Sequence, residues 1–184
     1  MKYLLLSDIH GSLPRLERAL DFYRSRRCDM MLLLGDILNY GPHNGIPEGM
    51  DSRGVAERLN AMADDIVAVR GNRDEEADQE LLNFSMLADY ALLVDEGRKV
   101  LLTHGHIYNR DHLPRGRYDA VLTAHTHVWR LEDDGRTLFC NTGSITFPKG
   151  GNPPTLGIME NGRIAIYTLD GELVKQAVIP HRRG

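Results

Sequence analysis

The sequence has few cysteines, no long apolar run and almost no clustered basic residues. Its two cysteines, Cys28 and Cys140, stand far apart and form no CxxC motif, which argues against a disulfide framework and against a thiolate metal site. Each lies beside an apolar run, so we expect two buried free thiols in a reducing cytoplasm. No run approaches the roughly 20 apolar residues of a membrane span, and the first one ends at Asp8, too early for a signal peptide.

The sequence also lacks a large net charge and any long block of like charges. The net charge of −4 over 184 residues is spread without an acidic block, and the only basic cluster is His181–Gly184 at the C-terminus. A main role in binding nucleic acid is therefore not expected, because phosphate-backbone binding normally needs a basic patch. The hydrophobic content of 42% and the charged content of 26% predict a soluble protein with a single domain over residues 1–184.

The first half of the chain alternates between two kinds of segment. Apolar runs in KYLLLS, MMLLLG and IVAV predict buried strands. Between and after them, SLPRLERALDFYRSR, VAERLNAMA and DEEADQELLNF carry apolar residues at helical spacing, with Ser12 at the first N-cap. Strands that alternate with helices predict parallel pairing with right-handed crossovers.

The second half predicts hairpins. Turn dipeptides occur at Glu96-Gly97, Asp134-Gly135, Asn161-Gly162 and Asp170-Gly171, and Asn-Gly and Asp-Gly tolerate the positive φ of tight hairpins. A parallel half followed by an antiparallel half predicts an α/β fold of two mixed sheets packed face to face, with helices outside. The long irregular segment Ile37–Gly54, rich in glycine and proline, is predicted to be a functional loop.

Metal-type ligands follow five of the apolar runs. They are Asp8 and His10, then Asp36, then Asn72, then His104 and His106, and finally His125 and His127. Each motif alone has an ordinary explanation: a capping turn for Asp8 and His10, a strand-end turn for Asp36 or Asn72, or chance. Five of the eight histidines fall in these motifs, however, and ligands in open α/β sheets bind at the carboxyl ends of strands. We therefore interpret the set as one site.

The ligand types indicate the class of metal. Imidazole, carboxylate and amide oxygen without thiolate suit Mn²⁺, Fe²⁺, Ni²⁺ or Zn²⁺, and we take Mn²⁺ as the first candidate. Two carboxylates cannot neutralise two divalent ions, so such a site would attract an anion such as phosphate. Two ions about 3.5–4 Å apart can hold a hydroxide and act on both ends of an in-line displacement.

The order of these motifs, D-x-H, G-D, G-N, H-G-H and H-T-H, resembles the calcineurin-like metallophosphoesterase superfamily. The segments LGDILNYGPHNGIPEG and TGSITFPKGGNPPTLG are similar to the small bacterial phosphodiesterases of the YfcE type. The resemblance implies a four-layer α/β/β/α sandwich and hydrolysis of a small phosphodiester by a metal-bridging hydroxide. It also implies one ion at Asp8, His10, Asp36 and His127, and a second at Asp36, Asn72, His104 and His125, with Asp36 bridging.

Two departures from the family pattern concern the site. Ala124 replaces the usual glycine before the last His-x-His and removes no ligand. Arg73 replaces the histidine usually credited with protonating the leaving group, because this chain has GNRD. Arginine cannot deliver a proton at neutral pH but can donate hydrogen bonds to phosphoryl oxygens. Arg73 is thus either a catalytic residue, with His106 as candidate proton donor, or a surface residue paired with Asp74 or Glu75.

Three alternatives remain open on the sequence. The preference for diesters comes from the resemblance, so the same site could serve a phosphomonoesterase or a nucleotide pyrophosphatase. The chain could also be a non-catalytic scaffold, as some retromer subunits of the superfamily are, although all seven ligand positions hold competent residue types. The hairpin edges are compatible with a homo-oligomer.

Overall fold

The computed structural model describes residues 1–181, which form two β-sheets packed face to face. The strands are β1 (Lys2–Leu6), β2 (Met30–Leu33), β3 (Ile66–Ala68), β4 (Tyr90–Asp95), β5 (Arg98–Thr103), β6 (Ala120–Thr123), β7 (Arg130–Asp133), β8 (Leu138–Asn141), β9 (Thr155–Glu160), β10 (Arg163–Thr168) and β11 (Leu173–Val178). The helices are α1 (Leu13–Arg26), α2 (Ser52–Asn60) and the single turn α3 (Glu76–Gln79). The expected sandwich of two mixed sheets is confirmed.

The first sheet has the strand order β11-β10-β9-β1-β2-β3. Strand β1 pairs parallel with β2, and β2 pairs parallel with β3, as the alternating first half predicts. On its other side β1 pairs antiparallel with β9, so the last hairpins of the chain complete this sheet rather than the second one.

Strand β1 is apolar along its length because both of its faces are covered. Leu4 and Leu6 pack in the cluster that includes helix residues such as Leu16 and Leu59, whereas Tyr3 and Leu5 pack toward the second sheet. A strand between two layers has no solvent face, so it shows a continuous hydrophobic run instead of alternation.

The second sheet has the order β4-β5-β6-β8-β7, and it corrects one expectation. The hairpins β4–β5 and β7–β8 are antiparallel, but β5 pairs parallel with β6 and β6 parallel with β8. The second half of the chain is therefore not antiparallel throughout. The connection 104–119 returns the chain to the end of the sheet where β5 began, so β6 runs parallel to β5. Strand β7 takes the edge of the sheet, which leaves β6 beside the parallel strand β8.

The hairpin turns follow the local sequence closely at two places. Glu96 and Gly97 join β4 to β5 with φ of 49° and 77°. Asn161 and Gly162 join β9 to β10 with φ of 51° and 65°, the positive values that a two-residue turn of this kind needs. The turns at Asp134-Gly135 and Asp170-Gly171 are wider, because β8 begins at Leu138 and β11 at Leu173.

Other features lie at the periphery of the sandwich. The outer face of the second sheet is covered by residues 104–119, a segment without a helix, over a small cluster of Leu101, Tyr118 and Val121. Helix α2 already begins at Ser52, so the irregular loop predicted from Ile37 is shorter than expected. Both cysteines are buried and free, as predicted.

Two further observations concern the whole chain. None of the helices in residues 1–181 is long and apolar enough to cross a membrane. The basic cluster predicted at the C-terminus lies outside the described residues except for His181.

Candidate metal centre

The predicted ligands come together where strands of both sheets end. The turns that carry them follow β1, β2, β3, β5 and β6. Because β1, β2 and β3 run parallel in one sheet and β5 and β6 run parallel in the other, the side chains that follow these strands meet at one end of the sandwich.

The first group consists of Asp8, His10, Asp36 and His127, all of them buried. One ligand atom from each lies within 4.8 Å of the others. The Nε2 atoms of His10 and His127 are 3.4 Å apart, and His127 Nε2 lies 3.2 Å from Asp8 Oδ1. These four donors have the spacing that a single ion requires.

The second group surrounds the side-chain oxygen of Asn72. His104 Nε2 lies 3.0 Å from Asn72 Oδ1, and His125 Nδ1 lies 2.7 Å from the same oxygen. His104 Nε2 is also 3.5 Å from Asp36 Oδ2, while His10 Nε2 is 3.7 Å from that oxygen on the other side. Asp36 therefore stands between the two groups.

Backbone carbonyls orient three of the imidazole rings. Nδ1 of His10 faces the carbonyl oxygen of Asn39 at 2.7 Å, Nδ1 of His104 that of Leu34 at 2.6 Å, and Nδ1 of His127 that of Phe147 at 2.8 Å. A carbonyl oxygen only accepts, so Nδ1 carries the hydrogen and Nε2 points inward. This arrangement is typical of metal-binding histidines.

The Asp8 carboxylate is the clearest sign that a cation belongs here. It is fully buried, and neither oxygen has a hydrogen-bond donor among residues 1–181. Burial alone would raise the pKa of Asp8, but the neighbouring His10 and His127 hold it well below its usual range. A buried charged carboxylate without donors is costly unless it is paired with a cation, so the donor set fits a divalent metal.

The electrostatics of the rest of the site agree with this interpretation. Burial opposes the charged form of His104, yet the carboxylates of Asp36 and Asp8 outweigh it and raise its pKa to about 9. Burial likewise opposes ionisation of Asp36, but His104 lowers the pKa of Asp36 below its ordinary value. The carboxylates thus create a strong local preference for positive charge.

Left-handed backbone is concentrated at the predicted ligands. Residues 1–181 contain eight non-glycine residues with positive φ, and five of them are predicted ligands: Asp8, His10, Asp36, His125 and His127. Such residues cost on the order of 1–3 kcal/mol each and persist where the surroundings fix them. Backbone hydrogen bonds from the amides of Asp8 and His10 to the carbonyls of Gly35 and Asp36 provide part of that support.

Arg73 lies beside the carboxylate of Asp36. Its backbone amide donates to Asp36 Oδ1 at 2.8 Å, and its guanidinium packs against Gly41, where an added Cβ would approach Nε to 2.6 Å. No carboxylate lies within salt-bridge distance of this guanidinium in residues 1–181. The surface ion pair with Asp74 or Glu75 that the sequence allowed is therefore absent.

His106 stands next to the second group rather than within it. Its ring centroid lies 5.3 Å from that of His104 and 6.1 Å from that of His125. Burial, followed by the charges of His104 and His125, lowers the pKa of His106 below its ordinary value. Its Nδ1 is buried and has no partner among the described side chains and backbone.

Two glycines allow the turns after β2 and β3 to touch. A Cβ on Gly71 would overlap the backbone nitrogen and Oδ1 of Asp36, and a Cβ on Gly35 would overlap the backbone of Gly71. The turn that carries Asn72 can lie this close to Asp36 only because position 71 has no side chain. The glycine was visible in the sequence, but the contact that requires it was not.

Asp74 is a site residue that sequence reasoning missed. Its Oδ2 accepts from the backbone amides of Asp36 and Gly71 at 2.8 Å and 2.7 Å, and its Oδ1 accepts from that of Ile37 at 2.8 Å. Burial, assisted by the Asp36 charge, raises the pKa of Asp74 to about 6. Its carboxylate ties the turn after β2 to the turn after β3, and only its place in the sequence directly after Asn72 and Arg73 hinted at this.

Comparison with known proteins identifies the relatives of this chain. Residues 1–162 match the model of the calcineurin-like phosphoesterase superfamily domain. Phosphodiesterase YfcE of Escherichia coli is 40% identical over 181 residues, which cover 97% of this chain and 98% of that protein. Phosphodiesterase MJ0936 of Methanocaldococcus jannaschii is 25% identical over 168 residues, covering 87% of this chain and 93% of that protein.

Solved structures agree with these matches. The phosphoesterase YfcE from E. coli superposes with a TM-score of 0.94 at 39% identity, covering 98% of this chain and all of that one (100%). Vps29 from Entamoeba histolytica, solved in complex with zinc, superposes with a TM-score of 0.65 at 22% identity, covering 98% of this chain and 100% of that one. The second likeness is evidence for the fold alone.

The role of Asp74 can be tested by one substitution. Asp74→Asn keeps the volume but replaces one acceptor oxygen with a donor, so Asp36 and Gly71 are no longer held together. We expect metal affinity to fall by about 10- to 100-fold, the factor that charge-assisted hydrogen bonds carry. Calorimetric metal titration at pH 8 measures it, with the exposed Glu76→Gln as control. A lower melting temperature with unchanged metal affinity would show a purely structural role.

Proposed function

The chain belongs to the calcineurin-like phosphoesterase superfamily, and on this premise we propose that it is a divalent-metal-dependent phosphodiesterase. The observation that carries the proposal is the buried group of Asp8, His10, Asp36 and His127, whose ligand atoms converge within 4.8 Å. The similarity to phosphodiesterase YfcE over nearly the full length of both chains supports a small phosphodiester as substrate.

We assign two ions to the site. The first is held by Asp8, His10, Asp36 and His127, and the second by Asp36, Asn72, His104 and His125. The support is geometric: Asp36 Oδ2 lies 3.7 Å from His10 Nε2 and 3.5 Å from His104 Nε2, so one carboxylate serves both groups. When bound, two such ions supply a nucleophilic water at neutral pH and neutralise charge on the phosphoryl group.

Mn²⁺ is our first candidate for the resident metal. The donors are imidazole, carboxylate and amide oxygen, and both cysteines lie elsewhere in the core. A set without thiolate suits Mn²⁺, Fe²⁺, Ni²⁺ and Zn²⁺, among which availability and geometry decide.

The protein's own residues hold the metals and the substrate. The carbonyls that bind Nδ1 of His10, His104 and His127 keep each Nε2 directed inward. Arg73 is proposed to donate hydrogen bonds to the phosphoryl oxygens, which is supported by its backbone contact with Asp36 and by a guanidinium without a carboxylate partner within residues 1–181.

His106 is proposed to contact the leaving group, as its proton donor or hydrogen-bond partner. Its ring lies against those of His104 and His125, and its Nδ1 has no partner in the described part of the chain. An arginine side chain cannot deliver a proton at neutral pH, so Arg73 cannot take over the proton donation credited to the histidine that is usual at this position.

The proposed activity is tested by removing and restoring metal. We expect chelator-treated protein to lose turnover of bis(4-nitrophenyl) phosphate, Mn²⁺ to restore it, and 4-nitrophenyl phosphate to be hydrolysed more slowly. Full turnover after complete removal of metal, checked by elemental analysis, would contradict the mechanism. Faster hydrolysis of the monoester would favour a phosphomonoesterase, and tight stoichiometric metal without any hydrolysis would indicate a binding scaffold.

The bridging role of Asp36 predicts an order among variants. Asp36→Asn should reduce turnover and metal content more than His125→Ala or His127→Ala, because only Asp36 contributes to both groups. Metal per chain and kcat are measured on the same preparations, and Asp21→Asn, an exposed carboxylate on α1, is the matched control. Near-normal metal content in Asp36→Asn would remove the bridging assignment.

The role of Arg73 predicts a particular dependence on the leaving group. Arg73→Ala should lower kcat by about 10²–10³-fold, the usual effect of losing one electrostatic donor, with little loss of metal. Arg73→His adds an acid at this position, so its rates over a series of aryl diesters should fall less steeply with rising leaving-group pKa than those of the wild type. The exposed Arg53→Ala serves as control. Equal rates for Arg73→Ala and wild type across the series would exclude a catalytic role.

A further inference from the structure

A cavity of about 500 Å³ opens beside the second ligand group. It lies between the segment 104–119, which contributes His106 and Arg110, and the strands β6 and β8, which contribute Thr123 and Phe139. Pockets of about 300–1,000 Å³ are the usual size for small-molecule sites. This cavity is not formed by the seven predicted ligands, of which only His125 lines it.

The cavity borders the second ligand group at two histidines. His125 lines the cavity and its Nδ1 lies 2.7 Å from Asn72 Oδ1 in the second group. His106 also lines it, with its ring 5.3 Å from that of His104. A phosphate held by the second group therefore has the cavity as its immediate neighbour, and one ester group can extend into it.

The wall of the cavity is apolar at its centre. Ala124, Val128 and Phe139 line it, and the guanidinium of Arg110 covers the ring of Phe139 at 4.8 Å from its centroid. Arg110 is itself paired with Glu132, whose carboxylate lies 2.6 Å from Nη1. The stacked pair forms a flat surface. Arg130, 3.7 Å from the other oxygen of Glu132, and Asp111 also line the cavity, so two positive and two negative charges balance there and a second anionic group is not the favoured occupant.

The polar side chains on the β6 and β8 side of the wall already have protein partners. Thr123 Oγ1 donates to the carbonyl of Cys140, and Asn141 Nδ2 donates to the carbonyl of Ala124 and to Thr126 Oγ1. The amide of Gly143 donates to Asn141 Oδ1. On this side of the wall a polyhydroxylated group would give up hydrogen bonds to water without gaining new partners, whereas a flat apolar group has no such hydrogen bonds to lose.

We propose that this cavity is the subsite for one ester group of the substrate, and that it selects a flat aromatic ester group over a small alkyl or polyhydroxylated one. The proposal rests on the proposed phosphodiesterase function, because it needs the phosphate to lie at the second ligand group. Val128 and Phe139 are the residues that determine this specificity.

Diesters with leaving groups poorer than nitrophenolate, which the protein is expected to cleave slowly, test the subsite directly. Zn²⁺-loaded protein is titrated with dimethyl phosphate, methyl phenyl phosphate, diphenyl phosphate and methyl 2,3-dihydroxypropyl phosphate. Burial of one phenyl ring should tighten binding of methyl phenyl phosphate by about 10- to 100-fold over dimethyl phosphate. The second ring of diphenyl phosphate and the dihydroxypropyl group should add little. The methyl NMR signals of Val128 should shift with the aryl esters and stay in place with dimethyl phosphate.

Two variants and a control make the test specific. Val128→Phe narrows the cavity and should remove most of the aryl preference while leaving dimethyl phosphate affinity unchanged. Val128→Ala should weaken aryl binding several-fold without narrowing the cavity, which covers the case in which the larger residue disturbs folding. Val94→Phe, the same substitution at an exposed position of β4, should behave as wild type.

The outcomes separate the subsite from the activity. Equal affinity for dimethyl and methyl phenyl phosphate, or Val128 signals that no aryl diester shifts, would overturn the subsite and leave the phosphodiesterase proposal to the chelation experiment. Aryl preference that disappears in Val128→Phe alone supports the subsite even if no diester is hydrolysed, in which case only the proposed activity fails.

Discussion

The buried carboxylate of Asp8 is the group on which the site depends. It is fully enclosed, and no described residue donates a hydrogen bond to either oxygen. A carboxylate in that position is tolerable only beside positive charge, which a bound metal would provide, with the inward Nε2 atoms of His10 and His127 as further ligands. The buried negative charge of Asp8 is destabilising without a cation and is compensated when a divalent cation binds. Metal binding and the stability of this region are therefore expected to be linked.

The surrounding fold keeps this costly arrangement in place. Five predicted ligands adopt left-handed backbone, and Asp36 is fixed by hydrogen bonds with Arg73 and Asp74, both on the turn after β3. The support comes from the core, where β1 is covered on both faces by leucine-rich clusters. Strain at the ligands is therefore balanced by packing a few residues away, as is common at functional sites.

The chemistry of the site divides between two regions. In the proposed function, the metal groups and Arg73 act on the phosphoryl group, which all phosphoesters share, so they would decide the reaction rather than the substrate. The proposed subsite beside His106 and His125 lies at the second sheet, and part of its wall, including Arg110, Val128 and Phe139, comes from residues outside the motifs that carry the ligands.

The sequence by itself was enough to predict that Asp8, His10, Asp36 and His127 meet, that β1, β2 and β3 pair in parallel, and that Asn161-Gly162 forms a turn, because each depends on residue type or on short-range periodicity. Only the tertiary structure decided that β5 and β6 pair in parallel, that Gly71 must lack a side chain beside Asp36, and that Asp74 joins two turns. These features arise from contacts between segments distant in sequence. Local patterns carry no information about which distant backbone amide a buried carboxylate will meet.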